Sequence, residues 1–398
     1  MNFKNSIKSL AAVAVASLGL AANSAQAVTI PPIVNPDFET DAADFDTFPG
    51  YTSNPGNPSE ITGWPGSGGR GINPGGGAGT PFRDNGNNTT NVAFLQGNNA
   101  TIGQSISGWS VGDNYRIAFD YNSRNSLSGA PQVGVTATIG GASFVDPSIP
   151  PVGGANSWYA GNILLTPTSA TETLSVTANV TSGDRTLLVD NFRVFRNGPA
   201  IADNGFENPV QPDNNWEQAN GNGGGSLAGS AWTITGGAGI TRNISPFQNG
   251  GIPAPEGDQH ALIQQTGSFV QTITGFGVGT DYELSLLAMA RQGQSGGNDL
   301  EVLLDAGLAT EIVLLDMSEI TFSSFTELTS GQFLATKDSY ELTIRASRNG
   351  NNLDGDRTTF FDNVWFNQLT DPVIPEPATA TITLLGMGSL LMRRRGER

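Results

Sequence analysis

Few side chains in this sequence are of a kind that could catalyse a reaction. His260 is the only histidine and cysteine is absent, which excludes thiolate nucleophiles, cysteine-ligated zinc and disulfides. A lone histidine beside an apolar run is more often structural than catalytic. Carboxylates are plentiful, with 36 Asp and Glu against 19 Lys and Arg, so a carboxylate pair alone cannot identify a glycosidase. We therefore predict a protein that is not an enzyme, with glycoside hydrolase as the weaker alternative.

Aromatic rings offer a different chemistry, because an exposed ring can stack on the face of a sugar. Tyr51, Tyr159 and Trp216 lie in surroundings rich in Gly or Asn, which favours exposed rings. We predict these three residues as ligand-binding positions. Nucleic acid is excluded as a partner, because the formal charge of −17 leaves too few clustered cations to displace phosphate counterions.

The elements that would position these side chains form an internal duplication. Residues 183–192 (GDRTLLVDNF) return as residues 355–364 (GDRTTFFDNV), each a Gly-Asp turn, an apolar run and then Asp-Asn. Trp64 recurs as Trp232 in nearly the same register. The repeat predicts two domains, at residues 28–197 and 200–370. Recurrence also indicates core packing for the paired aromatics Trp64 and Trp232, Tyr115 and Tyr282, Trp109 and Phe276, and Trp158 and Phe325.

Composition favours an all-β fold in both repeats. The chain has 52 Gly and 23 Pro and many short runs of Val, Ile, Leu and Thr. Alternation of Tyr115, Ile117, Phe119 and Tyr121 predicts a strand with one buried face. We expect about eight strands in each repeat. The predicted boundaries include an opening strand edge at 34–39, a loop at 49–90 with an ordered island at 61–64, and separate strands at 91–95 and 101–106.

Residues 1–27 have the features of a secretory signal peptide. Lys4 and Lys8 precede an apolar run at residues 10–20 that is too short to span a bilayer. Ala25 and Ala27 form a small-x-small cleavage site. The segment predicts export.

The C-terminal segment, residues 375–398, resembles the PEP-CTERM sorting signal of certain Gram-negative bacteria. It combines a Pro-Glu-Pro motif, an uncharged apolar run at residues 378–392 and a terminal basic cluster. The resemblance implies transient contact with the inner membrane, cleavage by an exosortase-type peptidase, and delivery to the cell surface or extracellular matrix. A plain membrane anchor is the alternative. The motif residues are Pro375, Glu376, Pro377, Arg393, Arg394 and Arg395.

The repeated features together resemble the galactose-binding-like jelly-roll fold, which includes many carbohydrate-binding modules. These features are the opening Phe-Glu, the tryptophan, a Gln-containing strand, the Tyr-led strand and the closing Asp-Asn. The resemblance implies two tandem jelly-roll β-sandwiches. It also implies structural calcium, with Glu39 and Asp190 as ligands in the first repeat and Glu207 and Asp362 in the second. The alternative is that these carboxylates cap strand ends or hydrogen-bond to backbone edges.

The function predicted from these features is that of an exported, non-enzymatic surface or matrix protein that binds extracellular polysaccharide. The alternative is a calcium-dependent lectin. Removal of both ends would take away six basic and two acidic residues, which leaves a net charge of −21. Such a surface repels anionic polymers at low salt and attracts divalent cations.

Overall fold

The computed structural model describes residues 27–44, 52–54, 61–75, 86–124, 133–154, 156–180, 185–247, 253–292, 297–346 and 357–371. Within these ranges the chain is all-β apart from a 3₁₀-helical turn at Glu39–Asp44. This confirms the predicted fold class of tandem β-sandwiches. The sequence also predicts a cleaved signal helix at the N-terminus and a short hydrophobic helix in the sorting segment, and these segments, before Ala27 and after Asp371, lie outside the described residues. No helix in the described part of the chain is long and apolar enough to cross a membrane.

The first repeat contributes nine strands within the described ranges. They are β1 (Thr52–Asn54), β2 (Gly66–Asn73), β3 (Val92–Ser107), β4 (Tyr115–Ser123), β5 (Val133–Ile139), β6 (Ala142–Ile149), β7 (Tyr159–Leu165), β8 (Thr171–Val180) and β9 (Thr186–Arg196).

The second repeat contributes the remaining strands of the described chain. They are β10 (Trp216–Gln218), β11 (Thr233–Thr235), β12 (Ala238–Arg242), β13 (Gln259–Gln264), β14 (Ser268–Thr274), β15 (Asp281–Ala290), β16 (Leu300–Leu304), β17 (Ile312–Met317), β18 (Thr326–Thr329), β19 (Phe333–Leu334), β20 (Ser339–Arg345) and β21 (Thr358–Gln368).

One long strand connects both layers of the first sandwich. The sheet order is β6-β5-β8-β3-β9-β4-β7, with β2 also paired to β3. Strand β3 pairs with β9 through residues 93–96 and with β8 through residues 101–107. Gly97 and Asn99 lie between these halves with φ of 85° and 59°. The left-handed conformations bend the strand, so that its two halves belong to opposite layers.

The second sandwich has the same layout but with the long strand broken in two. One sheet runs β10-β12-β13-β21-β15-β18, with β19 beside β15, and the other runs β11-β14-β20-β16-β17. Strand β13 pairs with β21 and β14 pairs with β20, as the two halves of β3 pair with β9 and β8. The duplication seen in the sequence is therefore a duplication of strand pairing.

Duplicated aromatics make duplicated contacts in the two cores. Trp64 Nε1 donates to the carbonyl of Asn35 at 3.0 Å, and Trp232 Nε1 donates to the carbonyl of the equivalent Asp203 at 3.1 Å. The indoles are 0% and 4% exposed. Their burial confirms the prediction that the repeated tryptophans pack in the core. Each indole also ties the start of its repeat to the sandwich.

The opening segment of each repeat is a turn, which corrects the predicted strand edge at residues 34–39. Phe38 and Phe206 have φ of 55° and 57°, in the left-handed region that a bulky side chain rarely adopts. Both rings are 0% exposed. Burial of these rings offsets the cost of the left-handed backbone. Because this compensation arises only in the folded core, no pattern of residue types predicts it.

Two further strand boundaries differ from the predictions. Strand β2 crosses part of the predicted loop at 49–90, because its glycines pair with β3 although they lack strand-forming side chains. The strands predicted at 91–95 and 101–106 are the single strand β3. The Gly and Asn residues between them bend the chain without ending its pairing. The boundaries predicted for the two domains stay a prediction.

The two sandwiches pack through the outer faces of their β4-β9 and β15-β21 sheets. On β4, Tyr115, Ile117 and Phe119 point into the first core, as the alternation predicted. Arg116 points the opposite way and is nevertheless only 3% exposed. The second repeat covers this face, and the space left between the sheets is a cleft.

Candidate functional site: the cleft between the repeats

The inter-repeat cleft has a volume of about 420 Å³ and is lined by both repeats. Strands β4 and β9 supply one wall, and β15, β18 and β21 supply the other. Hydrogen bonds to backbone carbonyls join the two repeats at the rim. The Ala160 N–H donates to the Pro255 carbonyl at 2.8 Å, and Ser157 Oγ donates to the Phe325 carbonyl at 3.0 Å. A cleft of this size accommodates a small-molecule group such as one or two sugar units.

The repeated Asp-Asn motif builds the two facing walls. Asn191 and Asn363 have φ of 53° and 56°, and the pairing register shifts opposite each of them. In both copies the aspartate Oδ1 accepts the N–H of the following asparagine at 2.8 Å. The motif is therefore a β-bulge, a device that re-aims a side chain. Here it directs both asparagines into the cleft.

The left-handed backbone at the bulge leads to a stability prediction. Asn191→Ala is expected to be less stable than Asn191→Gly by about 1 kcal/mol, because glycine adopts positive φ without steric cost. Both variants lose the same side-chain amide, so the difference isolates the backbone. Urea unfolding of the two proteins measures it. An alanine variant at least as stable as the glycine variant would contradict the bulge.

Amide and carboxylate groups hydrogen-bond along the cleft. Asn191 Nδ2 donates to Asp120 Oδ2 at 2.9 Å, and Asn162 Nδ2 donates across the repeats to Asn363 Oδ1 at 3.3 Å. Trp365 Nε1 also donates to Asn363 Oδ1. Burial raises the pKa of Asp120, while nearby Arg193 acts in the opposite direction. These groups can both donate and accept hydrogen bonds, as the hydroxyls of a saccharide require.

Arg116 is the central cation of the cleft. Its guanidinium lies between two rings, 4.4 Å from the centroid of Phe195 and 4.7 Å from that of Trp365. Nη1 donates to Asn162 Oδ1 and Nη2 donates to Asn367 Oδ1, both at 3.1 Å. Burial, followed by repulsion from Arg193, lowers its pKa to about 9. The side chain thus joins the two repeats through neutral partners.

Two recurring aromatics line the cleft at equivalent positions. Trp158 and Phe325 are 7% and 5% exposed, which confirms the prediction that they pack. Sequence reasoning did not place them in a site. Their recurrence in the sequence could have indicated the site, because a contact between two similar repeats brings equivalent positions to the same surface.

The rings predicted to bind ligand lie elsewhere. Tyr159 is 8% exposed and stacks on Tyr121 with centroids 5.4 Å apart, so it is not the open platform expected. It borders a separate groove between the repeats. Trp216 is half-buried against Phe247, with centroids 5.4 Å apart. Tyr51 lies outside the described residues.

The carboxylates predicted to bind calcium in the first repeat have protein donors. Glu39 accepts the N–H and the side-chain amide of Asn91, both at 2.6 Å. Asp190 Oδ2 accepts Asn88 Nδ2 at 2.8 Å and Thr90 Oγ1 at 2.9 Å. Burial raises the pKa of Asp190 to about 7. These donors occupy positions that a cation would need, so this carboxylate pair fits calcium poorly.

The second repeat has more negative charge at the equivalent place. Glu207 accepts the backbone N–H groups of Asp258 and Gln259, and Asp362 accepts that of Glu256. Burial raises the pKa of Glu207 and of Glu256 to about 7. It raises the pKa of Asp362 further, with repulsion from Glu256 as the next cause.

The carboxylates of the second repeat are better suited to bind calcium than those of the first repeat. Glu256 Oε2 is buried and has no hydrogen-bond partner, whereas the equivalent position in the first repeat is an amide, Asn88. Among the described residues, no three or more His, Cys, Asp or Glu side chains are arranged to hold a metal ion. Calcium binding therefore stays a prediction.

His260 does not meet a catalytic partner in the described part of the chain. It is 0% exposed, and its ring lies edge-on to Phe325 and Phe360. Both ring nitrogens are without hydrogen bonds, and burial lowers the pKa of His260 to about 3.

Sequence reasoning overlooked a Gly-Gln-Ser-Gly-Gly run at residues 293–297, which matches the Gly-x-Ser-x-Gly pattern of hydrolases. A strand, β16, follows this run where a hydrolase would have a helix.

Comparison with known proteins identifies no family for the chain. No protein family matches the sequence, and no curated protein matches it. Among solved structures, the Stig cyclase FisC from Fischerella sp. TAU is 23% identical. It covers 44% of this chain and 98% of its own, with a TM-score of 0.31.

Carbohydrate-binding modules are also among the structural neighbours. The tandem CBM22-1–CBM22-2 domain from Paenibacillus barcinonensis is 12% identical and covers 87% of this chain and 100% of its own, with a TM-score of 0.26. A CBM61 module solved with β-1,4-galactotriose is 8% identical and covers 43% and 99%, with a TM-score of 0.27. Because every one of these TM-scores is below 0.5, no ligand or residue role is transferred from them.

Proposed function

We propose that this protein is an exported, non-enzymatic component of the cell surface or extracellular matrix that binds polysaccharide in the inter-repeat cleft. Export and sorting are supported by the two ends of the sequence, through the signal peptide and the PEP-CTERM-like segment. The exosortase-type peptidase would be a transient partner at the inner membrane.

The observation that supports binding is the lining of the cleft. Amides from both repeats lie beside Trp365, whose side chain is only partly buried. Saccharides require this combination, because their hydroxyls need donors and acceptors and their C–H faces stack on aromatic rings. The buried, unpartnered His260 supports a binding role over a catalytic one.

Binding is tested by titrating the purified full chain with oligosaccharides and following tryptophan fluorescence, since two indoles line the cleft. Trp365→Ala is expected to weaken binding at least about tenfold, a loss of about 1.4 kcal/mol. Trp216→Ala is the matched control, because Trp216 is also half-buried in the second repeat but lies outside the cleft.

Circular dichroism of both variants checks that they are folded. Equal affinity of the two variants would contradict binding in the cleft. Loss of binding in both would point to Trp216 or to the fold as a whole.

The calcium-dependent lectin is a second candidate. The unpartnered Glu256 Oε2 beside Glu207 and Asp362 favours it, since calcium prefers carboxylate oxygens. Glu256 follows Pro255, whose carbonyl contacts the first repeat. A cation held there would stiffen one rim of the cleft.

A further inference from the structure

We propose that the ligand of the cleft is an anionic saccharide, whose carboxylate or sulfate group is bound by Arg116 and Arg193. This inference rests on the proposed function and specifies its ligand class. It is drawn from two arginines, each of which has a buried Nε without a hydrogen-bond partner.

The first observation is a buried charge without a counter-ion. Arg116 is 3% exposed, and its two terminal nitrogens donate only to neutral amide oxygens. Within the described residues no carboxylate forms an ion pair with it, and its Nε is buried without a partner. A buried charge that is not neutralised is unfavourable, because it has lost its hydration. An anion in the cleft would remove that cost.

The second observation is that another arginine flanks the same ring. The guanidinium of Arg193 lies 5.9 Å from the centroid of Phe195, which Arg116 contacts from 4.4 Å. Arg193 Nε is also buried without a hydrogen-bond partner. The two cations repel each other, and this repulsion contributes to the lowered pKa of Arg116. A ligand anion would screen that repulsion.

The carboxylates of the cleft are already engaged. Glu327 pairs across the repeats with Arg193, and Asp120 accepts the amide of Asn191 while lying 3.9 Å from Arg193. Among the described residues that line the cleft, the buried side-chain nitrogens without a hydrogen-bond partner are Nε of Arg116 and Nε of Arg193.

The ligand chemistry follows from the donors. A guanidinium recognises carboxylate and sulfate oxygens through charge-assisted hydrogen bonds, which are stronger than those between neutral groups. A uronic acid residue would supply the carboxylate and a sulfate ester would supply the alternative anion. The surrounding amides and rings would bind the neutral part of the sugar.

The test is a calorimetric titration of the full chain with three oligosaccharides of equal length. The first contains uronic acid units, the second is the same sugar with its carboxylates reduced to alcohols, and the third is a sulfated form of the second. A salt concentration of about 0.15 M screens the negative charge of the rest of the surface. We expect an anionic form to bind at least about tenfold more tightly than the reduced form.

A matched pair of variants tests the residue assignment. Arg193→Gln is expected to abolish the preference for the anionic form. Arg357→Gln is expected to preserve it, because Arg357 pairs with Glu319 in the same repeat and lies outside the cleft. A preference that survives in Arg193→Gln would overturn the assignment.

The outcomes separate this inference from the proposed function. Equal affinity for the reduced and anionic sugars would overturn the anionic ligand while leaving saccharide binding in place. No binding of any of the three would overturn both. Tighter binding of either anionic form supports the inference, and the form preferred identifies the anion as carboxylate or sulfate.

Discussion

Arg116→Ala is expected to lower the free energy of unfolding by about 1–3 kcal/mol, because buried acceptors that lose their donor are left unsatisfied. The variant loses two ring contacts and leaves Asn162 and Asn367 with unpaired carbonyl oxygens. Asn367 and Trp365 belong to the second repeat, so the loss falls on the contact between the repeats. We expect the two sandwiches to unfold in separate steps in the variant.

Differential scanning calorimetry measures this effect. Arg291→Ala is the matched control, because Arg291 is also a buried arginine, 8% exposed and 4.0 Å from the centroid of Phe247 in its own repeat. The control is expected to destabilise the second repeat without uncoupling it. A single transition in Arg116→Ala, with a loss below about 1 kcal/mol, would show that this residue does not join the repeats.

The free energy of unfolding is expected to be higher near pH 5 than near pH 8. Burial raises the pKa of Asp190, Glu207 and Glu256 to about 7 and that of Asp362 well above its ordinary value. The native protein then binds protons that the unfolded chain has released. Stability from these groups is complete below their unfolded pKa values, near 4, and is lost as the pH rises through about 7.

The size of this effect follows from the shifts. Asp190 is 0% exposed, and about two pKa units of its shift from 3.8 to about 7 lie between pH 5 and pH 8, which corresponds to roughly 3 kcal/mol on the scale of 1.36 kcal/mol for each pKa unit. His260 opposes it, because its pKa falls from 6.5 to about 3 and its contribution is lost as the pH drops through that window. Four carboxyl groups outweigh one imidazole, so stability increases toward pH 5.

Urea unfolding at the two pH values tests the balance, with Asp190→Asn expected to flatten the dependence. Asp316→Asn is the control, since Asp316 is exposed on the edge strand β17. Added calcium should raise stability near pH 8 if the native second repeat binds it, and excess chelator should reverse the gain. Stability that increases from pH 5 to pH 8 in chelator would contradict the carboxyl shifts.

Local patterns in the sequence were sufficient for the fold class. The alternation from Tyr115 to Tyr121 predicts its strand, because side chains of a strand point to opposite faces with a period of two. The recurrence of Trp64 as Trp232 predicts two similar cores. Both signals depend on neighbouring positions or on comparison of one repeat with the other. These sequence signals did not predict the opening turn at Phe38, because its left-handed backbone is stabilised by core contacts that are distant in the sequence.

The cleft depends on contacts that no local pattern encodes. The Asp-Asn motif was visible in the sequence, but only the register shift shows that its asparagine enters a site. Arg116 meets Asn367 across 251 positions of the chain. On an isolated sandwich, Arg116 and Asn367 would be ordinary polar residues on a solvent-exposed face. The sequence alone determined two β-sandwich repeats, whereas the packing of one repeat on the other decided that their polar faces enclose a cleft in which Arg116 is buried.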